Sequence, residues 1–197
     1  MPRPKGQTLT QKDIVEAAIA CLHKEGESAL GINRVARELG IQPPSIYNHF
    51  ASFEELRRAV VLEGWRRFLD VYFKNTEGIE DRNSLLKTAA YTYRNCARES
   101  SALYIVVTNY PLELEDPEFI PIIQRLLAFY DKVLGKFSLS QNEIIHAARM
   151  FNTMLHGFVL ADKAGLFLFP ESVDDSFDWM VETLIYAIER RGGLNDT

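Results

Sequence analysis

Residues 31–50 read GINRVARELGIQPPSIYNHF, and this stretch decides the fold. Ile32, Val35, Ala36 and Leu39 recur at i, i+3, i+4 and i+7, the one-sided apolar stripe of a short helix that packs onto a core. Gly40 ends that helix, because glycine enters the left-handed conformation just past a helix end without steric cost. Pro43 suits the first turn of a second helix, where its missing N–H is not needed. Ile41 and Ile46 stand five apart across that second start, the spacing of a hydrophobic staple. Two short helices joined by a tight turn make a helix-turn-helix, although the turn alone also fits any helical hairpin.

The flanks extend the helical pattern in both directions. Thr10 and Asp13 have the spacing of a capping box, and the helix they open carries Ile14, Ala17, Ala18, Cys21 and Leu22 on one side to about Lys24, with Gly26 as its stop. Ser52 and Glu55 open a long helix through Leu56, Val60, Trp65 and Leu69 to about Phe73, with no glycine- or proline-rich linker in it. Further helices are expected over 82–99, 102–107, 117–137, 140–163 and 172–191, the third started by Asp116 before Pro117. No strand-like alternation and no internal repeat is found, so the expected fold is all-α, with about nine helices. The expected organisation is a helix-turn-helix domain over 1–52, a connecting helix over 53–75 and a helical domain over 76–197.

At 197 residues and 47% hydrophobic content the chain can bury a core of ordinary size. No apolar run approaches the roughly 18 residues of a membrane span, and the opening MPRPKGQTLTQKD lacks the apolar stretch of a secretory signal, so a cytoplasmic protein is expected. Cys21 and Cys96, distant and outside any CxxC, are read as small buried hydrophobes. The net charge of −5 argues against nucleic acid until its distribution is seen. Residues 1–67 hold ten Lys and Arg against eight Asp and Glu, so the acidity sits in the remainder. So weakly basic a segment implies that DNA affinity depends on docking fit as well as charge.

Val35 to Gly40 (Val-Ala-x-x-Leu-Gly), then Tyr47, Asn48, His49 and Phe50, then Glu54 to Leu56 stand at one family's spacing: from Leu9 to about Leu69 the chain resembles the DNA-binding domain of the TetR family of bacterial repressors. The resemblance implies a second helix that enters the major groove and phosphate contacts by Tyr47 and His49. From their positions, Asn33 and Arg34 would reach a base edge or phosphate, while Gln42, Pro43, Pro44 and Ser45 would lie at the groove floor, the prolines against thymine methyls. Asn48 is a further base-reading candidate, and Arg3 and Lys5 form a basic arm able to follow the backbone or a neighbouring groove. Three positions depart from the family pattern. Gln42 and Phe53 stand where Ser or Thr and Lys are common, and Gly31 replaces a hydroxyl cap.

In the last two expected helices, Phe177, Val181, Leu184 and Ile188 share one face while Trp179, Thr183 and Tyr186 lie nearly opposite; Met150, Met154, Gly157 and Ala161 form a second stripe on the preceding helix. Helices apolar on two sides are buried on two sides, within a larger core or at a subunit interface. The resemblance implies the latter, a homodimer bundle. Tyr91, Asn95, Tyr104, Phe129, Phe151, Asn152 and Met154 are candidate lining for an effector, aromatic with a few polar anchors, though aromatics at helical spacing also make ordinary core. The run MFNTMLHGFVLADKAGLF resembles a His-Gly motif in one branch of the family, without naming a ligand. Glu143 and His146 form a single E-x-x-H with no second copy, so no metal or cofactor is expected. No Ser-His-Asp spacing suggests hydrolysis. The expected function is a homodimeric regulator, more in the manner of a repressor, that binds a palindromic double-stranded operator and responds to a small, largely apolar effector. The alternatives are a DNA-binding dimer without ligand and a helical enzyme.

Overall fold

A computed structural model describes residues 8–193. Among these the chain forms nine α-helices and two short 3-10 turns: α1 (Gln11–Glu25), α2 (Ile32–Leu39), α3 (Pro43–Tyr47), α4 (Phe53–Asn75), α5 (Arg82–Glu99), α6 (Ser101–Thr108), α7 (Ile120–Leu134), α8 (Gln141–Lys163) and α9 (Val173–Gly192). No strand occurs among the described residues. They sort into two compact units, one of residues 8–68 with Glu99–Ile122, the other of Leu69–Arg98 with the chain from Ile123 onward.

Helix starts follow local chemistry closely. Thr10 caps α1 by accepting from the Asp13 N–H, and the Asp13 carboxylate accepts from the Thr10 N–H at 2.9 Å, so two otherwise unpaired amides are satisfied together. Ser140 and Glu143 repeat the device at α8. At α4 the box is shifted: Ser52 accepts from the Glu55 N–H, but the Glu55 carboxylate reaches the Ala51 amide at 2.7 Å. One expectation needs correcting. α7 begins at Ile120, not Pro117, because the Asp116 carboxylate takes the Glu118 N–H and its carbonyl takes those of Phe119 and Ile120, all within 3.0 Å. Those bonds close a turn over 117–119, and Pro121 becomes the proline of the first helical turn.

In the first unit, Ile14, Ala18, Cys21, Val35, Ile46, Leu56, Val60 and Val61 are fully buried, so α1, α2, α3 and α4 share one core. α6 packs on α1 and also against α4, where a Cβ on Gly64 would stand 2.4 Å from Val107 Cγ2 and 3.2 Å from Leu103 Cδ1. Arg58 ties the stretch before α7 to α4 through Asp116, at 2.5 Å, and Glu118; the guanidinium beside Asp116 holds that carboxyl below its ordinary range. In the second unit, Leu69, Leu85, Leu86, Ala90, Leu134, Leu155, Phe177 and Val181 form the core. α9 ends against the turn after α7, where a Cβ on Gly192 would lie 1.9 Å from the Phe137 carbonyl oxygen. Both cysteines are buried and unbridged, and burial pushes the Cys21 thiol up.

Two glycines give opposite stability outcomes. Gly64→Ala must displace a short, β-branched neighbour, so chemical denaturation should show a loss of about 1–3 kcal/mol despite alanine's better helix propensity. Gly31 caps α2 in extended backbone, φ −171°, with no side-chain bond and open space around it. Gly31→Ser should therefore add a cap and reduce unfolded-state freedom, a gain of about 0.5–1 kcal/mol in the same measurement.

Candidate nucleic-acid interface

Five residues cannot hold a helix by themselves, so α3 exists because its surroundings seat it. Gly40 adopts the left-handed conformation, φ 67°, and the Ile41 N–H returns to the Ala36 carbonyl at 3.0 Å, closing α2 and turning the chain. Ile46 is fully buried and Phe50 nearly so, which pins one side of α3 to the core. Its end is tied from α1: Gln11 Nε2 donates to the His49 carbonyl at 2.7 Å. The sequence reading passed over Gln11, whose only signal was its place in the first turn of α1.

With Ile46 turned inward, Gln42, Pro44, Tyr47 and Asn48 face solvent, and Pro43, Ser45 and His49 are half-buried. Tyr47 is 52% exposed, so its ring is not a core element. Gln42 precedes α3 without a side-chain cap bond, in keeping with its departure from the family pattern, and Phe53 is exposed. On α2, Asn33 is exposed and Arg37 stands one turn later on the same side. Arg34 is half-buried and engaged: its Nε lies 2.9 Å from Glu25 and its Nη2 2.8 Å from Glu38, while Lys24 takes the other oxygen of Glu38. These contacts hold both carboxyls below their ordinary range. Arg3 and Lys5 lie outside the described residues.

The first unit neutralises most of its own positive charge. Arg57 meets Glu54, Arg58 meets Asp116 and Glu118, Arg66 meets Glu63, and Arg67 meets Glu16 and Glu63. Lys12 and Arg37, both exposed, appear in no ion pair among the described residues. Neither stood among the sequence candidates.

The candidate effector residues divide. Tyr104 belongs to the first unit, beside Phe68 at 6.5 Å between ring centroids. In the second unit Phe129 joins Tyr72, Phe73 and Tyr130, and Tyr130 touches Phe151 and bonds Asn152. Burial raises the Tyr130 pKa, so its hydroxyl stays protonated. Tyr91 stands in a separate group, edge-on to Phe177, which also meets Phe158. Asn95 faces solvent and Met154 is half-buried. A groove of about 590 Å³ runs between α7 and α8 past Tyr130, Leu127, Ile144 and Ala148. Arg94, a polar group among these aromatics, is only 3% exposed; its guanidinium stacks on Phe177 at 4.4 Å and pairs with Asp174 at 2.7 Å. Glu143 caps α8 and pairs with Arg191 at 2.9 Å.

Met150, Gly157, Trp179, Thr183 and Tyr186 are exposed, and Met154 and Ala161 are half-buried, on the sides of α8 and α9 turned away from their unit's core. Among the described residues no helix is long and apolar enough to cross a membrane.

Comparison with known proteins agrees with this geometry. Residues 14–60 match the family described as bacterial regulatory proteins, tetR family, and residues 86–184 match the tetracyclin repressor-like C-terminal domain. The chain is 34% identical over 195 residues to the uncharacterized HTH-type transcriptional regulator Rv0681 of Mycobacterium tuberculosis, covering 96% of this chain and 87% of that one. It is 24% identical over 186 residues to the uncharacterized HTH-type transcriptional regulator YobS of Bacillus subtilis, covering 91% and 93%. Its fold is similar to those of apo ActR from Streptomyces coelicolor (TM-score 0.69, 19% identity, 95% and 98% covered) and TetR from Acinetobacter baumannii AYE (TM-score 0.68, 19% identity, 93% and 98% covered). With its N-terminal match falling on the helix-turn-helix and its second on the helical unit beyond, the chain belongs to the TetR family of DNA-binding transcriptional regulators.

Proposed function

We propose that this protein is a cytoplasmic, homodimeric repressor that grips a palindromic operator through one α2–α3 pair per protomer and releases it when a small, largely apolar molecule enters the helical unit. One observation carries the reading: a five-residue helix is anchored by Ile46 and Phe50 while Gln42, Pro44, Tyr47 and Asn48 stay in solvent. A core spends little on so short an element unless its outer face has a use. α3 lies in the major groove with Gln42, Pro43, Pro44 and Ser45 at its floor and Asn48 beside them, while Tyr47 and His49 hold phosphates. Asn33 reaches the groove edge, and Arg3 and Lys5 follow the backbone. Arg34, spoken for by Glu25 and Glu38, braces α2, and Arg37 and Lys12 take the phosphate role.

The effector reading rests on the aromatic groups around Phe129 and Phe177, with Asn152 as a polar anchor; a groove of about 590 Å³ beside Tyr130 is of the size small ligands use. The homodimer reading rests on the outer faces of α8 and α9, where Met150, Met154, Gly157, Ala161, Trp179, Thr183 and Tyr186 offer apolar surface to a second copy.

Operator binding at fixed salt tests the groove assignment. Ser45→Ala and Asn48→Ala should leave the fold intact and each cost about 1–3 kcal/mol of specific binding, whereas Tyr47→Phe should weaken all sequences alike. Unchanged affinity in all three variants would remove α3 from the groove. A salt titration separates the charges: Arg37→Ala should lower the slope of log K against log salt by about one per protomer, and Arg34→Ala should not. A molecule that raises the thermal midpoint and lowers operator affinity, with a coupling of about 1–3 kcal/mol, is the expected effector behaviour; stabilising molecules that never alter DNA binding would contradict it.

A further inference from the structure

α9 has two faces with unlike duties. Phe177, Val181, Leu184 and Ile188 are buried in their own unit. On the opposite side Asp175, Trp179, Thr183, Tyr186 and Arg190 follow one another at steps of four, four, three and four, all exposed, Trp179 at 72% and Tyr186 at 62%. At 100° per residue these five fall within about a quarter of the helix circumference, so they form one stripe. Two large rings left in water two turns apart on one face mark an interaction surface, and α8 adds Met150, which shares a groove with Ala187.

The stripe matches itself when reversed. Asp175 and Arg190 lie equally far from a point between Glu182 and Thr183, and Trp179 and Tyr186 are equally far from the same point. A second copy laid antiparallel across a two-fold axis there meets acid with base at both ends and ring with ring on both sides, the self-complementarity an isologous interface requires. A parallel copy would set acid on acid and base on base. The ends of the helix agree, since its first turn carries Asp174 and Asp175 and its last Arg190 and Arg191. At the centre, the Thr183 hydroxyl already donates to the Trp179 carbonyl at 2.8 Å, so covering it strands no donor. Glu182 is drawn toward Lys87 of α5, at 3.5 Å, which keeps a second negative charge off the axis.

Resting on the homodimer reading above, we propose that α9 packs antiparallel on its own copy in the register that pairs Asp175 with the partner's Arg190 and Trp179 with the partner's Tyr186. The paired charges stand about 11 Å either side of the axis, at 1.5 Å per residue, so the two helices cross at a shallow angle of about 20°.

Sedimentation equilibrium of the full chain at neutral pH and low salt tests the register, with urea midpoints recorded to confirm that each variant is folded. Asp175→Arg and Arg190→Asp should each weaken the dimer about tenfold, because each places like charges together twice per dimer, and the double variant should return to within about threefold of the parent. Thr183→Cys, in a chain whose own Cys21 and Cys96 are buried, should form a disulfide-linked dimer on mild oxidation. A firm parent dimer indifferent to the single reversals, or a double variant no better than the singles, overturns the register and leaves the homodimer standing. A parent that is monomeric at tens of micromolar overturns both.

Discussion

The seat of α3 is the constraint on which the helix-turn-helix of this protein depends. A helix of five residues has almost no stability of its own, so its direction is set from outside. Ile46 and Phe50 plug it into the core, Gly40 turns the chain into it, and Gln11 holds its end by the His49 carbonyl. Losing any of these would move the exposed side chains as a group, since none has another anchor. A groove-reading helix misplaced by an ångström loses most of its hydrogen bonds.

Charge plays a different part from the one its count suggests. Ten basic residues in the first 67 look like a modest electrostatic footprint, but Lys24, Arg34, Arg57, Arg58, Arg66 and Arg67 are each paired within the unit. These pairs brace helices against one another: Arg34 joins α2 to the end of α1, and Arg58 joins α4 to the stretch before α7. With the molecule's net charge at −5, long-range attraction to DNA is weak, and discrimination has to come from short-range fit. The lowered carboxyls of Glu25, Glu38 and Asp116 show that the pairs favour the ionised form.

What could be read from the chain was local. Capping residues, helix periods and the glycine after α2 act over a few positions, so Thr10 with Asp13, Ser140 with Glu143, and Gly40 marked real boundaries. The opposed faces of α9 were legible for the same reason, as apolar and exposed residues alternate at helical spacing. Asp116 misled because its carboxylate and carbonyl close a turn before the helix begins, a choice made partly by Arg58, 58 residues away. Pairings across such distances leave no periodic trace. That is also why the grouping of Tyr104 with Phe68 and the burial of Arg94 on Phe177 could not be read in advance, whereas Arg34 and Glu38, four apart on α2, had a helical spacing that could be read. Exposed Arg37, one turn from Asn33, carried a usable signal that its neighbour's position obscured.

The central claim is that a symmetric pair of α3 helices reads DNA sequence by fit. Selecting bound duplexes from a random-sequence pool, at about 0.15 M salt where non-specific attraction is screened, tests it most directly. The account predicts enrichment of a palindromic motif whose half-sites are separated by about one helical turn or a multiple of it, bound by an even number of protomers. Retention of the pool without enrichment, or enrichment of a motif lacking two-fold symmetry, would contradict it.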